Sequence, residues 1–412
     1  MFSMFSKNPY RLLFIILLFT LTLTRCSCDN SSGLLSDDDS DASANQDVGD
    51  DDDDDDDDDD NSSDGDLSND GDFDIDDDVI TDGGEDINDD GSYNYASALQ
   101  KALYFYDAER CGDLPEDFRV SWRGDAHLCD YEVSLDTDAT NLSSSFISDN
   151  EDYLDADGDG TMDLGGGFHD AGDHVKFGLP QNYTAATLGW ALYEFQDEFE
   201  ETNQYSEVMS ILKWFSDYLL KSTFFDDDGD VVAFAYQVGD GDIDHADSWQ
   251  PPELQTCEDF PRPVSFATED DPASDQAAGA AAALALMYLN TQDVDSEYAE
   301  QCLDTAKALY TFAQDNRGLG GAGGSYYSSS GDDDEMAWAA IWLYEATSNE
   351  DYLNDIISTS GESYTGYLSA AITSTSSSWS NSWMHCWDTV WTGVFIKLAE
   401  ITEDNDFKDI TK

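Results

Sequence analysis

The stretch SDQAAGAAAALALMYL, Ser274 to Leu289, constrains the chain most. It reads as a buried helix, because its run of small side chains lets neighbouring helices approach closely and leaves little to hold in water. Its neighbours in sequence carry the matching signal. Tyr95 to Arg110 places Ala96, Leu99, Leu103 and Tyr106 near helical spacing. Tyr183 to Phe199, Tyr205 to Thr223, Tyr298 to Asp315, Asp333 to Ala346 and Trp391 to Glu400 read as further helices, with shorter ones at 350–358 and 361–372. Phe224 to Asp271 reads as loop-rich, and strand signal is almost absent. The expectation is an all-α fold of about eight or nine helices around a central axis, with loops at one end forming a cleft.

Charge divides the chain. A formal net charge of −76 coexists with 40% hydrophobic and 13% aromatic residues, too apolar for a wholly disordered acidic protein. The acid is concentrated in residues 29–93, with Asp50 to Asp60 unbroken. Such a block repels itself and stays extended, reading as a disordered solvated spacer in preference to a binder of Ca²⁺ or of a basic surface. Ahead of it, Lys7 and Arg11 precede the apolar run Leu12 to Phe19, too short to span a bilayer. Residues 1–28 are therefore expected to be a signal peptide or lipoprotein-type leader, with a membrane-anchored signal as the alternative. Residues 94–412 form the folded domain, and the protein is expected to be secreted or held at the cell surface. Sixteen Lys+Arg against 92 Asp+Glu exclude a phosphate-binding field, so nucleic acid is not an expected partner. Five cysteines follow the leader, Cys111, Cys129, Cys257, Cys302 and Cys386, with no CxxC pair to suggest zinc. Asn141 and Asn182 open glycosylation sequons, relevant only in a eukaryotic host.

The chemistry is expected in DLGGGFHDAGDHVKF, Asp163 to Phe177. Three glycines free the backbone to turn and to lie close to something large. Asp170 and Asp173 follow, set among Phe168, Val175 and Phe177 and outside the acidic tracts. Two nearby carboxylates repel, which can raise one pKa and leave the other low, an arrangement suited to aiming a water. Just upstream, Asp155, Asp157 and Asp159 alternate with Gly160 at the sixth position, as in a calcium loop, but Gly166 stands where the closing Glu belongs, so an acidic insertion loop is the preferred reading. Loop aromatics (Trp122, Tyr236, Trp249, Tyr326, Tyr327, Trp379, Trp383 and Trp387) offer faces on which sugar rings stack, while Trp338 and Trp342, on a helix, read as core. Acids with loop aromatics suggest a carbohydrate cleft.

Several blocks then fall in one order: WRGD (Trp122 to Asp125), the Asp163–Phe177 stretch, QVGDGDIDH (Gln237 to His245), WQPPE (Trp249 to Glu253), Ser274-Asp275, SGDDDEMAWAA (Ser330 to Ala340) and WMHCWD (Trp383 to Asp388). From about Tyr95 to about Glu400 the chain resembles glycoside hydrolase family 9, the inverting endoglucanases with an (α/α)6 barrel. The resemblance implies Asp173 as general base and Asp170 as the holder of the attacking water. It implies His245 as a sugar-hydroxyl contact and Tyr326 and Trp383 as cleft aromatics, with Ser329 standing where a cleft Trp often does. It implies a structural Ca²⁺ held by Ser330, Gly331, Asp334, Glu335 and Asp388, although Asp332 to Glu335 would also serve as an acidic helix start.

The proton donor implied by the resemblance is a Glu after a His-Arg substrate motif near the domain's C-terminal end, and neither motif occurs before Lys412. An incomplete barrel with its last helices missing is therefore expected, and little or no hydrolysis by the chain as written. Glu253, Glu335 and Glu345 match other family positions. The expected activity of the parent protein is hydrolysis of internal β-1,4-glucosidic bonds with inversion. The alternatives are a non-catalytic glucan- or calcium-binding surface protein and another (α/α)6 enzyme acting on a different polysaccharide.

Overall fold

A computed structural model describes residues 93–247, 249–372 and 385–402. The expected leader and acidic spacer, and the cleft residues Trp379 and Trp383, lie outside the described residues. Among those described, ten α-helices dominate: α1 (Tyr95–Ala108), α2 (Ser144–Leu154), α3 (Gly178–Glu201), α4 (Tyr205–Lys221), α5 (Gly241–Asp247), α6 (Ser274–Thr291), α7 (Ser296–Asp315), α8 (Asp333–Thr347), α9 (Glu350–Ile357) and α10 (Trp391–Ile401).

Helix α6 is the hub. It is buried on all sides and packs against α3, α7 and α8. Small residues make this possible. A Cβ on Gly189 of α3 would lie 3.0 Å from Leu286 Cβ, and one on Gly279 of α6 would lie 3.0 Å from Asn182 Cβ. Asn182 donates from Nδ2 to Gln276 O at 2.9 Å, pinning α3 to α6. That sequon asparagine is therefore buried in a helix contact, unlike the exposed Asn141. On the far side of α8, Trp338 and Trp342 meet edge to face at 5.1 Å, both fully enclosed, as expected of core residues.

The loop-rich expectation for 224–271 gives way to a sheet. The strands are β1 (Val133–Ser134), β2 (Thr161–Met162), β3 (Lys176–Phe177), β4 (Thr223–Phe225), β5 (Val231–Val238) and β6 (Val264–Ala267). The antiparallel order is β3-β5-β4, with β6 also on β5. The cause is legible in hindsight: VVAFAYQV is a continuous apolar run with both faces covered, so it shows no alternation. Tyr236 in this strand is buried in the core, not placed in the cleft. Two further differences are local. Ser143 caps α2 by accepting from Phe146 N at 3.1 Å, which makes a helix in a stretch too polar to show one. Residues 361–372 form no α-helix; Gly361 at φ +65° turns a short hairpin, followed by a single 3₁₀ turn at Tyr367–Ala370.

The sheet matters because it holds the functional stretch. Strand β3 pairs Lys176 with Val238 and Phe177 with Gln237, so the segment carrying Asp170 and Asp173 is held by a strand that runs straight on into α3.

Candidate active site

The glycine run bends the chain under the site. Gly166 and Gly167 sit at φ +97° and +73°, where other residues are strained, and a Cβ on Gly165 would fall 2.2 Å from the Tyr131 ring. The stretch then runs beside the end of α1: Cys111 N donates to Gly167 O at 3.0 Å and His169 N to Glu109 O at 2.8 Å. Asp170 N closes the turn by donating to Val175 O at 3.1 Å.

Beneath lies a buried ion cluster. Lys176 Nζ donates to Asp130 Oδ2 at 2.7 Å and to Leu164 O at 3.0 Å. Arg262 donates to both Asp130 oxygens, at 2.9 and 3.0 Å, and to His174 O at 2.9 Å. Burial alone would raise the Asp130 carboxyl, but Arg262 and Lys176 outweigh it and hold it low.

Asp170 and Asp173 line one cavity of about 270 Å³, together with Glu109, His245, Trp249 and Trp387. Asp173 is buried; its Oδ2 lies 3.0 Å from His245 Nε2 and its Oδ1 accepts from Val175 N at 3.2 Å. Burial raises its pKa, and the His245 and Val175 N–H groups oppose that rise without cancelling it. Tyr327 Oη stands 2.8 and 2.7 Å from the two oxygens of Asp170. Trp387 meets Tyr327 edge to face at 5.1 Å, and Trp249 packs over Gly172 and beside His245. Tyr326 does not line this cavity; its ring lies tilted against His245 at 4.7 Å, and it donates to Asp242 Oδ1 at 3.1 Å. Trp122 is 74% exposed and does not line the cavity.

The residues expected to hold Ca²⁺ lie around the start of α8, but the oxygens of Asp334, Glu335 and Asp388 are not all within 4.8 Å of one another. Asp388 Oδ1 accepts from Ser330 N at 2.7 Å, and Asp334 Oδ2 from Val390 N at 2.8 Å. Both carboxylate oxygens of Glu335 are buried and find no hydrogen-bond partner among the described residues. Burial raises the pKa of Asp334, Glu335 and Asp388, and for Glu335 the neighbouring Asp334 and Asp275 raise it further. Among the described residues, the acidic trio whose oxygens lie within 4.8 Å of one another is Asp155, Asp157 and Asp159, where backbone N–H groups of Gly158, Asp159 and Gly160 already bond the Asp155 carboxylate.

Three groups escaped the sequence reading. Glu109 faces the cavity, and burial pushes its carboxyl up to about 8, with Arg123 opposing and Asp170 and Asp173 adding to the rise. Tyr327 was one aromatic among many until its phenol met Asp170. Cys111, His127 and His169 bring sulfur and ring nitrogens within 4.8 Å, a donor set suited to a soft divalent ion and built from three separate segments, so no CxxC spacing announces it. In the structure His127 Nδ1 lies 3.0 Å from His169 Nε2 and 3.7 Å from Cys111 Sγ. The Cys129–Cys257 disulfide ties the His127 segment to the Trp249 loop; Cys111, Cys302 and Cys386 are free and buried. Glu253, in the same loop, accepts from Arg123 Nε at 2.7 Å and Gly124 N at 2.9 Å.

The model of the family described as "Glycosyl hydrolase family 9" matches residues 95–411. Endoglucanase A of Bacillus pumilus is 40% identical over 268 residues, 64% of this chain and 35% of that protein. The solved catalytic domain of Clostridium thermocellum CelT is similar at 45% identity and TM-score 0.68, over 78% of this chain and 63% of that one. The cellulase Cel9M of C. cellulolyticum, solved in complex with cellobiose, is 36% identical at TM-score 0.61, over 78% and 65%. The chain thus spans about a third of the B. pumilus relative and somewhat under two thirds of the solved domains. The predominantly helical architecture and these neighbours agree with the expected (α/α)6 fold class.

Proposed function

The chain belongs to glycosyl hydrolase family 9, and from that premise we propose that its protein hydrolyses internal β-1,4-glucosidic bonds of cellulose-like glucans with inversion. The observation that carries this reading is the pairing of Asp170 and Asp173 on the wall of an aromatic cavity, each held by its own partner, Tyr327 and His245. Asp173 takes a proton from a water as that water attacks the anomeric carbon. Asp170, fixed by Tyr327, accepts the water's second hydrogen and sets its line of approach. Trp249 and Trp387 supply faces for sugar rings, and His245, partly exposed, is placed to reach a sugar hydroxyl as well as Asp173. An inverting enzyme also needs a carboxylic acid about 6.5–9.5 Å from the base to protonate the leaving oxygen, a role assigned here to no residue of this chain. The test is incubation with cellotetraose and carboxymethylcellulose, following new reducing ends and the first-formed anomer by proton NMR. Initial release of the α-anomer supports the proposal, release of the β-anomer refutes inversion, and binding without cleavage favours a glucan-binding protein.

Ca²⁺ at Ser330, Gly331, Asp334, Glu335 and Asp388 belongs to the same proposal. Hard oxygen donors suit that ion, and a dication would offset the charge of three carboxyls that burial disfavours. The unpartnered Glu335 oxygens support the fit. At a hundredfold excess over Kd, Ca²⁺ is expected to stabilise the protein by about 2.7 kcal/mol. Scanning calorimetry in EDTA and in millimolar Ca²⁺ should show a rise in Tm that Glu335→Gln removes; equal Tm values in both buffers would refute the site. Secretion is likewise part of the proposal, supported by the Met1–Thr24 pattern and by a disulfide of the kind that persists in oxidising compartments.

A further inference from the structure

Three carboxyls share the cavity, and two are engaged. Asp173 is held at both oxygens by Val175 N and His245, and Asp170 lies within reach of the Tyr327 phenol at both of its own. Glu109 differs. Its backbone is fixed, since its carbonyl accepts from His169 N and its own N–H bonds the last turn of α1 at Phe105 O and Tyr106 O. Its carboxyl, by contrast, has no hydrogen-bond partner among the described residues. The Arg123 charge acts on it but makes no hydrogen bond to it. Arg123 donates from Nε to Glu253, and from its two terminal nitrogens to the carbonyls of Ala108 and Arg110. Phe105, Tyr106, Phe168 and Phe215 line the same cavity as Glu109 and offer its carboxyl no hydrogen bond. The Glu109 carboxyl thus sits at the end of α1 and lines the same cavity as Asp170 and Asp173. Buried polar groups are otherwise almost always satisfied, so a group left open toward a cavity calls for a partner from outside the chain.

We propose that Glu109 is a substrate-positioning residue, its carboxyl hydrogen-bonding a hydroxyl of the glucosyl unit that lies against Asp170 and Asp173. This rests on the glucanase reading of the same cavity. It assigns Glu109 the task of seating the sugar, separate from the water-side tasks of Asp170 and Asp173, and makes it a determinant of affinity. A glutamine has the same shape and keeps both a donor and an acceptor there, whereas alanine leaves the sugar hydroxyl unpaired against an apolar wall.

The test is titration calorimetry of the full chain with cellotetraose, with Tm measured alongside. Glu109→Ala is expected to weaken binding about tenfold or more, as loss of a hydrogen bond to a buried polar group should. Glu109→Gln is expected to stay within about threefold of the parent. Neither variant should lower Tm, because no protein contact of the carboxyl is lost. Where the parent cleaves, the Ala variant should change KM more than kcat. If the parent binds cellotetraose and Glu109→Ala binds it equally well, the proposal is wrong. If both variants weaken binding together with a fall in Tm, Glu109 is a structural residue and the proposal is again wrong. A parent that binds no cello-oligosaccharide refutes the glucanase reading itself, a distinguishable result.

Discussion

Wherever the parent cleaves glucan, Asp173→Asn should lower kcat by about 10²–10⁴-fold while leaving cellotetraose affinity near that of the parent. Asparagine keeps the size of the side chain and can still accept from His245, but it cannot take a proton from water. Stability should not fall. Asp173 has a raised pKa in the fold, so its contribution to stability is fully present below the unfolded pKa and is lost as pH rises through the folded one. At neutral pH the parent therefore bears the cost of an ionised buried acid, and the neutral variant does not. The pH–rate profile has the opposite sense: a base must be ionised, so activity of the parent should fall as pH drops through a pKa above the usual carboxylate range. A variant with parental activity, or one that loses activity only by unfolding, would remove Asp173 from the mechanism.

Asp130→Ala should be the most destabilising single change among the site's supports, by about 3–5 kcal/mol, because it leaves two buried cations without their counter-charge. Lys176 has no exposed surface, and Arg262 is nearly enclosed. Asp130 has a depressed pKa, so its stabilisation is present above the unfolded pKa and is lost as pH falls through the folded one. Urea unfolding at neutral pH reads the loss directly. The same ions grip Leu164 O and His174 O, at opposite ends of the functional stretch, so a variant that still folds should also lose activity. Parental stability would mean that solvent reaches the cluster and that the buried triad holds nothing in place.

The long helices were legible because local spacing and composition mark them, whereas α2 and α5 were not read. Ser274 to Leu289 and Tyr205 to Thr223 needed only local spacing, and their ends agree with α6 and α4 to within a few residues. Strand β5 was not legible, since a run buried on both faces has no alternation to read. At the site the difference is one of range. Asp170 and Asp173 stand three apart in a recognisable block. Glu109 and Tyr327 reach them across 61 and 157 positions of chain, counting to Asp170, and no pattern in a single sequence records such a meeting. The Cys111, His127 and His169 cluster was hidden for the same reason, and its histidines have pKa values lowered chiefly by burial, which spacing does not reveal.

The Cys129–Cys257 bond, 128 positions apart, closes a covalent ring. Asp170, Asp173, His245 and Trp249 all lie inside it, as do the exposed turn residues Asp227 to Asp230 between β4 and β5. A protease that cuts this turn would sever the backbone without separating the pieces. Both fragments would stay joined through sulfur, migrating as one species on a non-reducing gel and as two after reduction. The nicked protein would keep Asp173, Asp170 and the aromatic wall in one molecule, so a broken backbone need not mean a dismantled cleft.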